Sequence, residues 1–226
     1  VVEEKKIEEM DVVFLMDRFG YAKTVDVSVY ERNKEAADTE NRYILTCKNT
    51  DKICIFTNKG QMHLLKVLDL PYGKFRDKGI PIDNLSNYDS SEENFIYIIN
   101  LGAIIHSRLL FGTKTAMLKM VDGSEFDVAK RTTASTKLNE DDELLIVHAM
   151  TGEETVVMQS EKEMFLRIEA STIPEKKKGA VGVRGMKLNA GDALSNIYVL
   201  DGENEQTVEV KGKEVVLNRL RVGNRD

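Results

Sequence analysis

A motif that returns about every fifty residues constrains this chain more than any other feature of its sequence, because a fixed period sets the architecture before single elements do. A short apolar strand, a polar turn and a second strand ending in a basic residue occupy residues 12–23 and 53–63, with looser copies at 109–119, 156–167 and 207–219. The turns centre on Gly20, Gly60, Thr115, Glu163 and Gly212, at intervals of 40, 55, 48 and 49. A second marker lies between the hairpins and is fullest over residues 178–192, where Lys187-Leu188-Asn189 leads through Gly191-Asp192 into the apolar run 194–200. Its tail recurs as Lys137-Leu138-Asn139 before 144–148 and as Asn84-Leu85-Ser86 before 95–99, so that the three leucines stand 53 and 50 apart. Five hairpins are predicted, one per repeat.

Charge follows the same period. Lys and Arg outnumber Asp and Glu by three in each of the blocks 59–78, 107–137, 159–189 and 210–226, whereas 79–106, 138–158 and 190–209 carry −4, −6 and −5. The formal total of −6 argues against an indiscriminate nucleic-acid binder, so the distribution matters more than the sum. If every repeat folds alike, the basic blocks share one surface and the acidic blocks another.

Forty to fifty residues suit four short strands, the content of one propeller blade. Helical repeats of that length would need apolar residues three and four apart over ten or more positions. Residues 31–42, the most polar candidate, offer only Ala36 and Ala37 and read as a loop or a short solvated helix. The runs 95–99 and 144–147 are continuous and apolar, as expected of strands covered on both faces. The expectation is therefore an all-β, propeller-like fold of about five four-stranded blades, closed into a ring that hides its edges, in a single domain over residues 1–226. A chain of 25.5 kDa buries enough core to need no disulfide. Cys47 and Cys54, without a CxxC pattern, read as buried free thiols of a reducing compartment. No run approaches the ~18 apolar residues of a membrane span, and no secretory signal opens the chain, so a cytoplasmic location is expected. The absent initiator Met and the ending Asn224-Arg225-Asp226, like the start of another Arg-Asp-Lys-Gly unit, suggest a fragment of a longer subunit.

Three stretches carry a resemblance: 48–57, 71–79 (Pro71-Tyr72-Gly73-Lys74-Phe75-Arg76-Asp77-Lys78-Gly79) and, most specific, 178–186 (Lys178-Gly179-Ala180-Val181-Gly182-Val183-Arg184-Gly185-Met186). With these, essentially the whole chain resembles the C-terminal domain of the A subunit of bacterial type IIA DNA topoisomerases, gyrase and topoisomerase IV. The resemblance implies a β-pinwheel, a propeller whose blades exchange strands. Its basic rim would bind and bend double-stranded DNA beside the same subunit's catalytic core and the ATPase B subunit. This part would be non-catalytic, need no cofactor and sit with the nucleoid. Gyrase's glutamine-arginine-arginine-glycine-glycine-lysine-glycine box has no counterpart; the nearest runs are Arg76-Asp77-Lys78-Gly79 and Lys176-Lys177-Lys178-Gly179. The resemblance thus implies a topoisomerase IV-like domain that bends DNA more weakly. A propeller serving as a protein-interaction platform is the alternative, and an apolar patch in place of the basic residues would mark it.

Phosphate binding needs cations along a curved face, with affinity from counterion release and not from base reading. The candidates are Lys74, Arg76 and Lys78; Lys119, Lys130, Arg131 and Lys137; Lys176, Lys177, Lys178, Arg184 and Lys187; and Lys211, Lys213, Arg219 and Arg221. Any one of these is ordinarily a solvated lysine or arginine; the periodic set is the signal. The glycines of 179–185 lack the strand–loop–helix setting of a nucleotide loop and read as places where backbone passes close to a neighbour. Arg42-Tyr43 resembles the cleavage pair of these enzymes, but its surroundings read as a strand, which makes Tyr43 structural. His63, His106 and His148 are too dispersed for a zinc site and read as strand residues; no metal site is expected.

Overall fold

All five predicted hairpins form, and each closes on a residue in the left-handed region: Gly20, Gly60, Ala116, Glu163 and Gly212. The third turn is thus centred one residue later than expected. The computed structural model describes residues 6–225. The first repeat comprises β1 (Asp11–Met16), β2 (Tyr21–Asp26), α1 (Val27–Arg32), α2 (Lys34–Glu40) and β3 (Tyr43–Lys48). In the second, the hairpin β4 (Lys52–Thr57) and β5 (Gln61–Lys66) is followed by β6 (Tyr72–Gly73), β7 (Ile80–Pro81), α3 (Ile82–Leu85), β8 (Phe95–Asn100) and α4 (Leu101–Ile104). The third holds β9 (Arg108–Thr113), β10 (Met117–Asp122), β11 (Thr132–Ala134) and β12 (Leu144–Met150). The fourth holds β13 (Thr155–Ser160), β14 (Phe165–Glu169), β15 (Val183–Arg184) and β16 (Leu194–Leu200), and the last β17 (Thr207–Val210), β18 (Lys213–Val216) and β19 (Val222–Gly223).

Strand order shows that neighbouring repeats exchange strands. The sheets run β3-β1-β2-β6, β8-β4-β5-β11, β12-β9-β10-β15 and β16-β13-β14-β19, with β7 also paired to β2. In each blade three strands are local, and the strand beside the second hairpin strand comes from the following repeat. The β17–β18 pair stands as a two-stranded sheet, so the five hairpins give four blades of four or more strands and one hairpin, not five complete blades. Strands β3, β8, β12 and β16 touch one another across blades and form the inner edge. The donated strands lie at the opposite, outer edge.

Alternation along the hairpin strands explains the continuous apolar runs, because successive side chains leave a strand on opposite faces. Ile53 and Ile55 pack with Phe14 and Met16 of the first blade, while Cys54 and Phe56 pack with Leu109 and Phe111 of the third. Leu110 and Leu118 meet Val156 and Met158, and Val157 faces Val208 and Val215 of the last hairpin. Full burial of such side chains is worth about 1.5–3 kcal/mol each, so the core resides between blades.

The polar segment forms short helices that are mostly exposed but pack one apolar face inward. Ala37 is fully buried, and Val27, Val29, Tyr30 and Ala36 pack with it over Val13, Leu15 and Val25 on the free face of the first blade. Two short helices therefore cover the face that a further blade would use. Among the described residues no core cluster joins the last hairpin to the first blade; the first face is covered locally, not by ring closure. Cys47 and Cys54 are buried free thiols, and burial pushes Cys47 up to about 12 and Cys54 higher still.

Candidate nucleic-acid interface

The basic runs gather where the donated strands join their host blades. In the first blade β6 leaves β2 at Thr24 and Val25 and β7 returns at Ala22 and Tyr21. Residues 74–79 are looped out between them, and Lys74, Arg76 and Lys78 are exposed. In the third blade the chain leaves β10 at the Met120–Glu175 bridge and returns as Val183 opposite Leu118. Residues 176–182 are looped out in the same way, with Lys176 and Lys177 exposed. Lys178 is half-buried, its Nζ donating to the Glu125 carbonyl at 3.2 Å. Exposed Lys130 and Arg131 lead into β11 on the second blade, and exposed Arg219 and Arg221, with half-buried Leu220 between them, lead into β19 on the fourth.

These outer segments are joined to one another. The Arg131 guanidinium donates to the Leu85 carbonyl at 3.0 Å, Thr136 Oγ1 and the Lys137 N–H both reach the Ala180 carbonyl at 3.4 Å, and Arg225 Nη1 donates to the Arg184 carbonyl at 3.0 Å. First rim meets second, second meets third and third meets fourth. Arg184 lies in β15 itself and Lys187 just beyond it, both exposed. Glycine makes the close docking possible: a Cβ on Gly79 would lie 2.8 Å from the Ala22 carbonyl oxygen, and one on Gly182 only 2.4 Å from that of Leu118.

Three candidates do not fit the rim. Lys119 is 1% exposed, with Nζ donating to the carbonyls of Ala180 at 2.7 Å, Lys177 at 3.0 Å and Lys178 at 3.3 Å. An ammonium whose three donors are engaged inside the protein is not available to a phosphate. Burial lowers it from the ordinary lysine range to about 8, against the raising effect of Glu125. Lys211 and Lys213 stand at the β17–β18 turn, the position held elsewhere by Lys59 and Lys114, where Glu143 pairs with both cations.

Sequence reasoning missed Lys52 and Lys66. They join Lys130 and Arg131, with Asp69 and Leu85, around a cleft of about 240 Å3 at the boundary of the first and second rims. Their only sequence signal is register, for they face each other across β4 and β5. His63 is a buried strand residue bound to Glu93 at 2.9 Å; His148 is exposed in β12, and His106 lies in a turn and not a strand. Among the described residues no group of three or more His, Cys, Asp or Glu side chains could hold a metal. None of their helices is long and apolar enough to cross a membrane.

The model of the DNA gyrase C-terminal domain, a β-propeller, matches residues 107–149 and 154–201, the third and fourth repeats. Over these two repeats the chain resembles that family. The DNA gyrase A protein of Lawsonia intracellularis is 28% identical over 214 residues, spanning 89% of the chain and 26% of that protein. That of Staphylococcus epidermidis is 28% identical over 241 residues, spanning 99% and 27%. The chain thus spans about a quarter of the length of these relatives. Its fold matches a solved C-terminal domain of DNA topoisomerase IV at a TM-score of 0.84, with 22% identity over 97% of the chain and 72% of that structure. The E. coli ParC C-terminal domain matches at 0.74, with 14% identity over 92% and 86%. A DNA gyrase A C-terminal domain matches at 0.61, with 17% identity over 96% and 75%.

Proposed function

We propose that this chain is the duplex-binding domain of a type IIA topoisomerase A subunit, and that it bends DNA along the outer edge of its four blades. One observation carries the reading: the basic segments around residues 76, 130, 177 and 220 lie beside the second hairpin strand of successive blades, and these segments or the chain just beyond them hydrogen-bond from blade to blade. Such a track neutralises phosphates without reading bases, so DNA shape and deformability would choose the site. Bending a 20–30 base-pair segment costs on the order of 1–6 kcal/mol, which several phosphate contacts offset. Covering the free face of the first blade with α1 and α2 limits the track to an arc, which suits bending better than a closed wrap. The domain performs no chemistry itself in this reading. It presents duplex to the catalytic core of the same subunit, which works with an ATP-hydrolysing partner subunit in the cytoplasm, at the nucleoid.

The test is fluorescence anisotropy with two unrelated duplexes over a range of salt. Reversing Lys176, Lys177, Arg219 and Arg221 to Glu should weaken binding to both duplexes alike and flatten the dependence of log affinity on log salt, by about 0.9 for every phosphate no longer neutralised. Unchanged affinity in a folded variant would overturn the reading.

A further inference from the structure

The second hairpin strand of each of the four blades carries, in register, one side chain that runs beneath the rim. These are Lys23 opposite Leu15, His63 opposite Ile55, Lys119 opposite Phe111 and Arg167 opposite Val157. Lys23 Nζ donates to the carbonyls of Phe75 and Asp77, Lys119 Nζ to those of Lys177, Lys178 and Ala180, and Arg167 Nη1 to those of Asn218 and Leu220. In each case the acceptors belong to the donated segment that carries the basic side chains of the rim. His63 differs: its partners are the side chains of Thr132 and Glu93, and the second blade has no looped-out segment, for Thr132 pairs with His63 directly.

We propose that Lys23, Lys119 and Arg167 are positioning residues of the DNA-binding rim: each cation draws the carbonyls of its rim segment inward and thereby turns that segment's own basic side chains toward the duplex. The inference rests on the proposed DNA-binding role. Its physical basis is the matching of donors to acceptors. Three ammonium protons meet three carbonyls beneath residues 176–182; the Lys177 carbonyl also accepts from the Ala180 N–H at 3.0 Å and the Ala180 carbonyl from Thr136 Oγ1 and the Lys137 N–H at 3.4 Å, and the ammonium gives Ala180 its shortest bond, at 2.7 Å. A segment tied at Lys177, Lys178 and Ala180 keeps one backbone course between Glu175 and Val183, and Lys176 and Lys177 are exposed along it. The repetition at one register position, by lysine twice and arginine once, is what a shared mechanical role predicts and an incidental buried charge does not.

The test compares Lys119→Met, which keeps an unbranched side chain one atom shorter and removes the donors, with Lys119→Arg, which substitutes the cation of the fourth blade. Hydrogen exchange reads the rim directly. Lys119→Met should speed exchange of the Lys176 and Ala180 amides at least about tenfold while β9 and β13 stay protected. It should also weaken duplex binding about tenfold and flatten the salt dependence by about 2, as two lysines lose their ordered places. Lys119→Arg should restore both. Unchanged exchange in Lys119→Met, or faster exchange with unchanged affinity, would overturn the inference. A wild-type chain that binds no duplex would overturn the proposed function instead, with the exchange measurement still reporting whether Lys119 holds the rim. Should Lys119→Met fail to melt cooperatively, Lys23→Met makes the same comparison on residues 74–79 of the first blade.

Discussion

Lys119 Nζ lies 2.7 Å from the carbonyl oxygen of Ala180, sixty-one residues away and beneath a donated strand. That contact places a positive charge at a site 1% exposed, and burial lowers its pKa from 10.5 to about 8. The folded chain therefore holds this proton less tightly than the unfolded chain, where lysine titrates near 10.4. Below pH 8 both states are protonated and the cost of the buried charge is constant. Between about pH 8 and 10.4 the folded state alone releases the proton, so stability rises with pH, by at most about 3 kcal/mol at 1.36 kcal/mol per unit. Urea midpoints of wild type relative to Lys119→Met, measured from pH 7.5 to 10, should move upward. A constant difference across that range would show that Lys119 stays charged in the fold.

Gly182 and Gly179 are three residues apart and should respond in opposite ways to the same substitution. A methyl group on Gly182 would meet the Leu118 backbone at 2.4–3.0 Å, whereas one on Gly179 would meet nothing within 4 Å. Gly182→Ala should separate β15 from β10 and destabilise by about 1–3 kcal/mol, the usual cost of overpacking. Gly179→Ala should stay within about 0.5 kcal/mol of wild type. Equal unfolding midpoints in denaturant would contradict the close docking of the third rim.

The hairpins and their order are legible in the sequence because both faces of each strand are buried, which leaves continuous apolar runs such as Ile53-Cys54-Ile55-Phe56. Strand exchange is not, because β6, β7, β15 and β19 have two residues each and so short a strand shows no alternation. The helices are hidden for a similar reason: Val27, Val29 and Tyr30, which complete their apolar face, precede the most polar stretch. The basic segments of the rim show through their period, which composition alone carries. Lys119 is misplaced by that reasoning because composition cannot separate an exposed lysine from one turned beneath a neighbour. The useful signal is register, the position it shares with Lys23 and Arg167 on the second hairpin strand.

Glu93 anchors the second blade through side chains as well as backbone. Its carboxylate accepts from Thr57 Oγ1 at 3.0 Å and from the Asp89 N–H at 3.0 Å, and lies 2.9 Å from His63 Nε2. Replacing Glu93 by Ala leaves three groups without that partner, and the loss should be about 3 kcal/mol. Thermal unfolding should show it as a lower midpoint, while duplex affinity measured well below that midpoint should hold, since the Glu93 carboxylate is buried and its bonds are to Thr57, His63 and Asp89 and not to a basic residue of the rim. A midpoint equal to wild type would mean that water satisfies the cluster.

Location, and not charge alone, should decide which lysines matter. Lys74 and Lys78 flank the first rim segment, while Lys211 and Lys213 sit at a hairpin turn; all four are exposed. Reversing either pair to Glu changes the formal charge by the same amount, so a long-range field would weaken binding equally in both variants. Direct phosphate contact would not. Lys74→Glu with Lys78→Glu should lower duplex affinity several-fold at about 0.15 M salt, where fields are screened beyond about 8 Å, and should flatten the salt dependence by about 2. Lys211→Glu with Lys213→Glu should leave both quantities close to wild type. Equal losses from the two pairs would mean that the duplex does not follow the outer edge.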